Sequence, residues 1–155
     1  MPDKSLLTDD VRALVGRATA MLPVQVTLRA VQRAMDVYLG HQDGAPTEPG
    51  ASVPGYVLAA LDSESEPEPL PPVLPNSLLI SNEWSFERPL RLGEELAVSY
   101  RITNISERFG GRFGYSIDFR SEEEFVDSSG AVVARSGRAM MQYDASEAPD
   151  DEAEG

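Results

Sequence analysis

The chain contains no cysteine and a single histidine, His41, in 155 residues. Without cysteine there can be no disulfide, no thiolate nucleophile and no cysteine-ligated zinc or iron–sulfur site. With one histidine, one chain cannot build a multi-histidine metal centre. Basic residues are also scarce: 13 Lys and Arg stand against 26 Asp and Glu, giving a formal charge of −13. No Lys/Arg stripe gathers them, and such a surface repels phosphate backbones, so nucleic acid is not an expected partner. No apolar run approaches the roughly 18 residues a membrane helix needs, and no membrane association is expected. The opening segment MPDKSLLTDD lacks an apolar signal core, so a cytoplasmic location is expected, which the missing cysteine fits. Glycine-rich phosphate loops of the Walker or Rossmann type are absent, and neither a cofactor nor a metal is expected.

What remains is the composition of an ordinary globular domain, 41% hydrophobic and 25% charged. The length suits one domain, expected over residues 1–146. Residues 147–155 carry Glu147, Asp150, Asp151, Glu152 and Glu154 with almost no apolar content. They are expected to form a disordered acidic tail, either solubilising or docking a basic partner.

Helical spacing comes first along the chain. Leu7, Val11, Leu14 and Val15 suggest a helix over 8–20, with Thr8 or Asp9 as its cap. Val24 to Val26 reads as a short strand. Thr27 then caps a second helix in which Leu28, Val31, Met35, Tyr38 and Leu39 make one apolar face, and Gly40 stands where a left-handed cap belongs. Pro54 to Asp62 (PGYVLAALD) reads as a short apolar helix with proline at its start. An acidic, proline-rich connector follows at 63–72.

From Leu78 onward the period changes to two. Strands are expected over 78–86, 95–105, 114–126 and 131–143, with Leu96, Val98, Tyr100 and Ile102 on one face of the second and Tyr115, Ile117 and Phe119 on one face of the third. Gly110-Gly111 and Ser128-Ser129-Gly130 supply turns, and 88–93 is a bend. The expected architecture is α+β: helices first, then a meander of four long antiparallel strands whose apolar face is covered by the 54–62 helix.

Three stretches carry a family resemblance: Val53-Pro54-Gly55-Tyr56-Val57-Leu58; Trp84 to Leu96, containing Arg88-Pro89-Leu90 and Gly93-Glu94; and Ile105 to Arg108 with Gly110, Gly111 and Gly114, continuing to Ser129-Gly130-Ala131-Val132-Val133-Ala134. Together they resemble the MaoC-like dehydratases, in particular the N-terminal, fatty-acid-synthase-like (R)-hydroxyacyl dehydratase domain. The resemblance spans residues 10 to 143. It implies a hotdog fold, a curved antiparallel sheet wrapped around a central helix. It also implies an acyl-CoA or acyl-carrier thioester as ligand, and a homodimer or a heterodimer with a catalytic hotdog subunit.

In that family an Asp and a His on the loop after the first long helix activate a water, typically within Gly-Asp-x-Asn-Pro-x-His. General acid–base transfer needs both groups within reach of that water. Here the place reads Leu39-Gly40-His41-Gln42-Asp43-Gly44-Ala45-Pro46. The histidine precedes the aspartate and the Asn-Pro step is missing. His41 and Asp43 are therefore weak catalytic candidates, either solvent-exposed or rearranged into an acid/base role. Asp36, Asp43, Asp62 and Glu83 are the carboxylates by position for a thioesterase-like base. The resemblance further implies that Pro54, Gly55 and Tyr56 open the central helix, where Gly55 and Tyr56 offer free N–H groups to a thioester carbonyl and Pro54 has no N–H to compete.

Trp84 and Phe86 are expected in packing, Arg108 and Arg112 at a solvated turn or against a CoA phosphate. Glu122, Glu123 and Glu124 cannot converge on one ion, because neighbours on a strand face opposite ways. The leading expectation is a hydratase/dehydratase homologue without its own Asp/His pair. A non-enzymatic binding or assembly subunit and a carboxylate-based hotdog thioesterase stand beside it.

Overall fold

The computed structural model describes residues 4–61 and 70–148. In chain order the elements are α1 (Asp9–Arg12), β1 (Leu22–Gln25), α2 (Leu28–Leu39), β2 (Ser52–Val53), α3 (Val57–Leu61), β3 (Asn76–Phe86), β4 (Leu90–Arg91), β5 (Glu95–Phe109), β6 (Tyr115–Val126), β7 (Val132–Tyr143) and a 3-10 turn, η1 (Ala145–Glu147). One antiparallel sheet has the order β1-β5-β6-β7-β3, and β2 pairs with β4 in a small second sheet.

Local chemistry explains α2. The Thr27 hydroxyl accepts from the Ala30 N–H at 3.1 Å, and Gly40 closes the helix at φ 75°, a left-handed conformation that costs glycine little. The buried stripe is Ala30, Val31, Ala34 and Met35. It is rotated from the expected face: Leu28, Tyr38 and Leu39 are exposed, and the small alanines are what let α2 lie close to its neighbours. α3 is shorter and more deeply placed. Val57, Leu58 and Leu61 are fully buried, contributing about 1.5–3 kcal/mol each by removal from water. They join α2, Leu96, Val98, Phe125, Val133 and Ala134 in one core cluster. The expected 54–62 helix is thus a turn at 54–56 followed by α3; Asp62 and the connector to residue 69 lie outside the described residues.

Two expectations need correction. The helix over 8–20 stops after one turn, capped by Thr8. Gly16 adopts φ 84°, and Val15 and Ala18 form bridges to Ile102 and Arg101 of β5. Pairing with an available sheet edge outweighs a weak helical pattern broken by glycine. The four long strands also do not form one meander. β5, β6 and β7 do, but β3 pairs with β7, for example Trp84 with Ser136, instead of with β5. The β2–β4 pair lies in the crossing between them, with Val53 opposite Leu90.

Residues directly opposite one another across the ladder share a face. Phe125, Glu123, Ser121, Phe119, Ile117 and Tyr115 of β6 all point inward and are all buried. On the other face Glu122 pairs with Arg101 at 3.1 Å and with Arg135 at 3.8 Å, and Glu124 with Arg135 at 3.4 Å. Exposed pairs of this kind are worth at most about 1 kcal/mol each. The three consecutive glutamates do split between faces as strand geometry requires, and among the described residues no cluster of metal-ligating side chains exists. At one end of the inner face, Leu7 packs on Tyr115, Ile117 and Phe119 as a second apolar cluster.

Candidate functional site

The first two motif stretches, far apart in sequence, meet in space. β2 delivers Val53 and the Pro54–Tyr56 turn beside the end of β3 and the Arg88-Pro89-Leu90 bend. A cavity of about 470 Å³ lies between them, lined by Val53, Gly55, Phe86, Arg88, Pro89 and Leu90. The turn tightens into α3 through 3-10-type bonds: Val57 N–H to the Pro54 carbonyl at 3.1 Å and Leu58 N–H to the Gly55 carbonyl at 3.0 Å. Pro54 has no N–H. The Gly55 and Tyr56 N–H groups have no acceptor among the described residues, as expected at a helix start.

Glycine at 55 is required by proximity. A Cβ there would stand 3.0 Å from two ring carbons of Phe86, closer than carbon atoms pack without strain. Tyr56 stacks on Tyr38 of α2 at 5.1 Å between ring centroids, and Tyr38 meets Trp84 edge-on at 6.2 Å. Both spacings are in the favourable range for aromatic pairs. The Trp84 indole N–H is buried and has no acceptor among the described residues.

The bend is held by Arg88. Its guanidinium forms a two-pronged contact with Glu94 at 2.8 and 3.2 Å, donates to the Pro89 carbonyl at 3.0 Å, and lies 3.6 Å from Asp127. Hydrogen bonding to Glu94 raises its pKa above the ordinary arginine value. Asp127 is held below the ordinary aspartate range, first by the Ser129 hydroxyl at 2.6 Å, also by the Ser129 and Ala131 N–H groups. Arg88 thereby ties the 88–94 bend to the β6–β7 turn and fixes one wall of the cavity.

His41 and Asp43 lie on the surface loop after α2. The His41 Nδ1 accepts the Asp43 backbone N–H at 3.2 Å, and the Asp43 carboxylate stands 3.9 Å from the same nitrogen. Both side chains face solvent, with 53% and 96% of their surface exposed. The other positional carboxylates scatter: Asp36 is exposed and accepts from Gln42 at 2.6 Å, Glu83 is exposed on β3, and Asp62 is not described. Arg108 reaches Asp118 at 3.6 Å, and Arg112 stacks over Phe113 at 5.9 Å.

Sequence reasoning missed a band of polar groups on the inner sheet face. Tyr100, Glu123, Ser136 and Trp84 form one transverse row, and Ile102, Ser121, Arg138 and Asn82 the next. The signal was present: the inward series of β6 is apolar at 115, 117, 119 and 125, but reads Ser and Glu at 121 and 123.

No protein-family model and no curated protein sequence matches the chain. Solved structures do. A protein of the ChsH1-ChsH2 complex from Mycobacterium tuberculosis superposes with a TM-score of 0.68 at 13% identity, covering 92% of this chain and 98% of that one. A MaoC-like dehydratase from Rhodospirillum rubrum gives 0.56 at 18% identity, covering 83% and 92%. The R-hydratase PhaJ1 from Pseudomonas aeruginosa gives 0.54 at 19% identity, covering 84% and 82%. The five-stranded antiparallel sheet with its apolar face packed on α2 and α3 is therefore the hotdog fold that MaoC-like dehydratases and (R)-hydratases share.

Proposed function

We propose that the chain is a MaoC-like acyl-thioester hydratase/dehydratase homologue that binds its thioester at Pro54, Gly55 and Tyr56, lacks its own Asp/His pair, and acts in the cytoplasm as one half of a hotdog dimer. The observation that carries this reading is the pair of unengaged N–H groups at Gly55 and Tyr56 beside a cavity of about 470 Å³. Two such donors suit a carbonyl oxygen that gains negative charge as the α-carbon is protonated or deprotonated. The buried indole N–H of Trp84 lies in the same aromatic group as Tyr56.

Proton transfer needs a partner in this reading. The His41 Nδ1 lone pair is occupied by the Asp43 N–H, and both side chains point to water, where neither is held against a buried substrate. A second subunit supplies the missing pair. β3 favours such pairing, because it is an edge strand of 11 residues with Leu78, Leu79 and Ile80 each about half exposed. A long apolar edge left unpaired is an aggregation hazard. One structural neighbour is itself part of a two-protein complex. A non-enzymatic binding or assembly subunit is the second reading, favoured by the same exposure of His41. The two separate in an isotope-edited NMR titration with a saturated acyl-CoA, followed by a pull-down from the native cell. Shifts confined to the Gly55 and Tyr56 amides, with capture of a hotdog subunit carrying an intact Asp/His pair, support the first. Absence of shifts at those amides refutes the thioester site.

A further inference from the structure

One step of the surface loop after α2 has no part in the thioester reading: Asp43 followed by Gly44. It is the single place in the chain where an aspartate or asparagine precedes glycine. The Asp43 side chain is 96% exposed and accepts no hydrogen bond among the described residues; its carboxylate stands 3.9 Å from the His41 Nδ1. Gly44 lies at φ 78°, and a Cβ placed there would meet nothing within 4 Å. Its N–H has no acceptor among the described residues. The turn holding both residues is closed by one long bond, from the Ala45 N–H to the Gln42 carbonyl at 3.3 Å.

A peptide nitrogen reaches the carboxyl of the preceding residue when three conditions meet. The carboxyl has no other partner, the nitrogen is not already donating, and the backbone between them can turn until the reacting atoms touch. Glycine satisfies the third best, having no Cβ and a wide choice of φ. All three hold at 43–44. Asp36, Asp118, Asp127 and Asp144 each fail the first. Gln42 donates to Asp36 at 2.6 Å, and Arg108 stands 3.6 Å from Asp118. Asp127 is held by the Ser129 hydroxyl, two N–H groups and Arg88, and Asp144 by the Ser146 hydroxyl and N–H at 2.6 and 3.0 Å.

We propose that Asp43-Gly44 is a self-modification site, at which the main chain isomerises to a β-linked aspartate. The Gly44 nitrogen bonds to the Asp43 Cγ and the Cγ–OH bond breaks. The proton of the nitrogen and that hydroxyl leave together as one water, and a cyclic imide remains. One solvent water then opens the ring. Cleavage at Cγ restores the original linkage. Cleavage at the Asp43 main-chain carbonyl sends the chain through Cβ and Cγ and leaves the former main-chain carbonyl as the free carboxylate. Nothing is oxidised or reduced, and water is the sole co-reactant. The charge is conserved, but the main chain gains one carbon. Gly40 is fixed on one side by its bond to the Asp36 carbonyl, and Ala45 on the other by packing on the core cluster. The added length is therefore taken up at 41–44, in the loop that carries His41.

The test incubates the full folded chain in neutral buffer at 37 °C. β-Linked aspartate is then read by an isoaspartyl methyltransferase with labelled S-adenosylmethionine, and located by peptide mapping. Label is expected to accumulate at Asp43, and at least tenfold less at Asp36, Asp118, Asp127 and Asp144. Asp43→Glu closes a larger, slower ring and is expected to abolish the label at that position. Ser128→Gly separates structure from sequence. It gives Asp127 a following glycine while the carboxylate stays held, so no label is expected at Asp127 in the folded chain; incubation in urea is expected to produce it. No label at Asp43, undiminished label in Asp43→Glu, or label at Asp127 in folded Ser128→Gly equal to that at Asp43 overturns the proposal.

Discussion

Replacing Gly55 by alanine tests the close approach that shapes the turn at 54–56. Two effects oppose each other. Gly55 does not sit at positive φ, so alanine is compatible with its backbone, and the loss of unfolded-state freedom should stabilise the fold by about 0.4–1 kcal/mol. Against this, the new Cβ lies 3.0 Å from the Phe86 ring at two carbons, where ordinary contact begins at about 3.5 Å. Overpacking of this sort costs about 1–3 kcal/mol. Phe86 is 38% exposed, so its ring can yield and the cost should fall at the low end. The net expectation is destabilisation by a few tenths to about 1 kcal/mol, combining those two ranges. In a Phe86→Ala background the obstruction is gone, and the same Gly55→Ala change should become stabilising. A double-mutant cycle by urea denaturation reads the reversal directly, with a coupling of about 1–2 kcal/mol. If Gly55→Ala has the same effect with and without the Phe86 ring, the close approach is not what holds the turn.

The remaining predictions concern the edge, the N-terminal segment and the exposed loop. Ile80→Lys on β3 should convert a dimer to a monomer in sedimentation analysis while changing monomer stability by less than about 0.5 kcal/mol, since the side chain is 55% exposed. Glu107 holds the N-terminal segment through the Ser5 and Tyr115 hydroxyls and lies 3.8 Å from Arg12. Burial opposes its ionisation, but those bonds and the Arg12 charge outweigh it and leave its pKa below the ordinary glutamate value. A carboxylate whose folded pKa is depressed stabilises above its unfolded pKa and loses that contribution as pH falls through the folded value. Amide exchange at residues 6–12 should therefore accelerate as pH drops below the ordinary glutamate range, and Glu107→Gln should remove that dependence. His41→Ala should leave folding and acyl-CoA binding unchanged, measured by thermal denaturation and calorimetry; a binding loss beyond tenfold would put His41 in the site.

Much of this architecture is readable where local chemistry acts alone. Thr27 and Gly40 mark both ends of α2 because caps are short-range, and the inward positions of β5 follow from strict alternation at Leu96, Val98, Tyr100 and Ile102. Long-range choices are less visible. Nothing in β3 itself says that it pairs with β7, and residues 13–19 carry a helical spacing that the free edge of β5 overrides. The turn at Gly55 was legible through its proline and glycine, but the Phe86 ring against it was not, since that contact joins positions 31 residues apart in the chain. The polar band was written into β6 as Ser121 and Glu123. It was obscured because a single strand shows polar residues without showing that Tyr100, Arg138 and Asn82 align beside them.

Hydration of crotonyl-CoA by the purified chain, assayed alone and then with whatever hotdog subunit co-purifies with it, bears most directly on the thioester reading. The account predicts no turnover by the chain alone, turnover on addition of the partner, and loss of that turnover when Gly55 and Phe86 are altered to close the turn. Robust turnover by the isolated chain that disappears in His41→Ala or Asp43→Asn would contradict it.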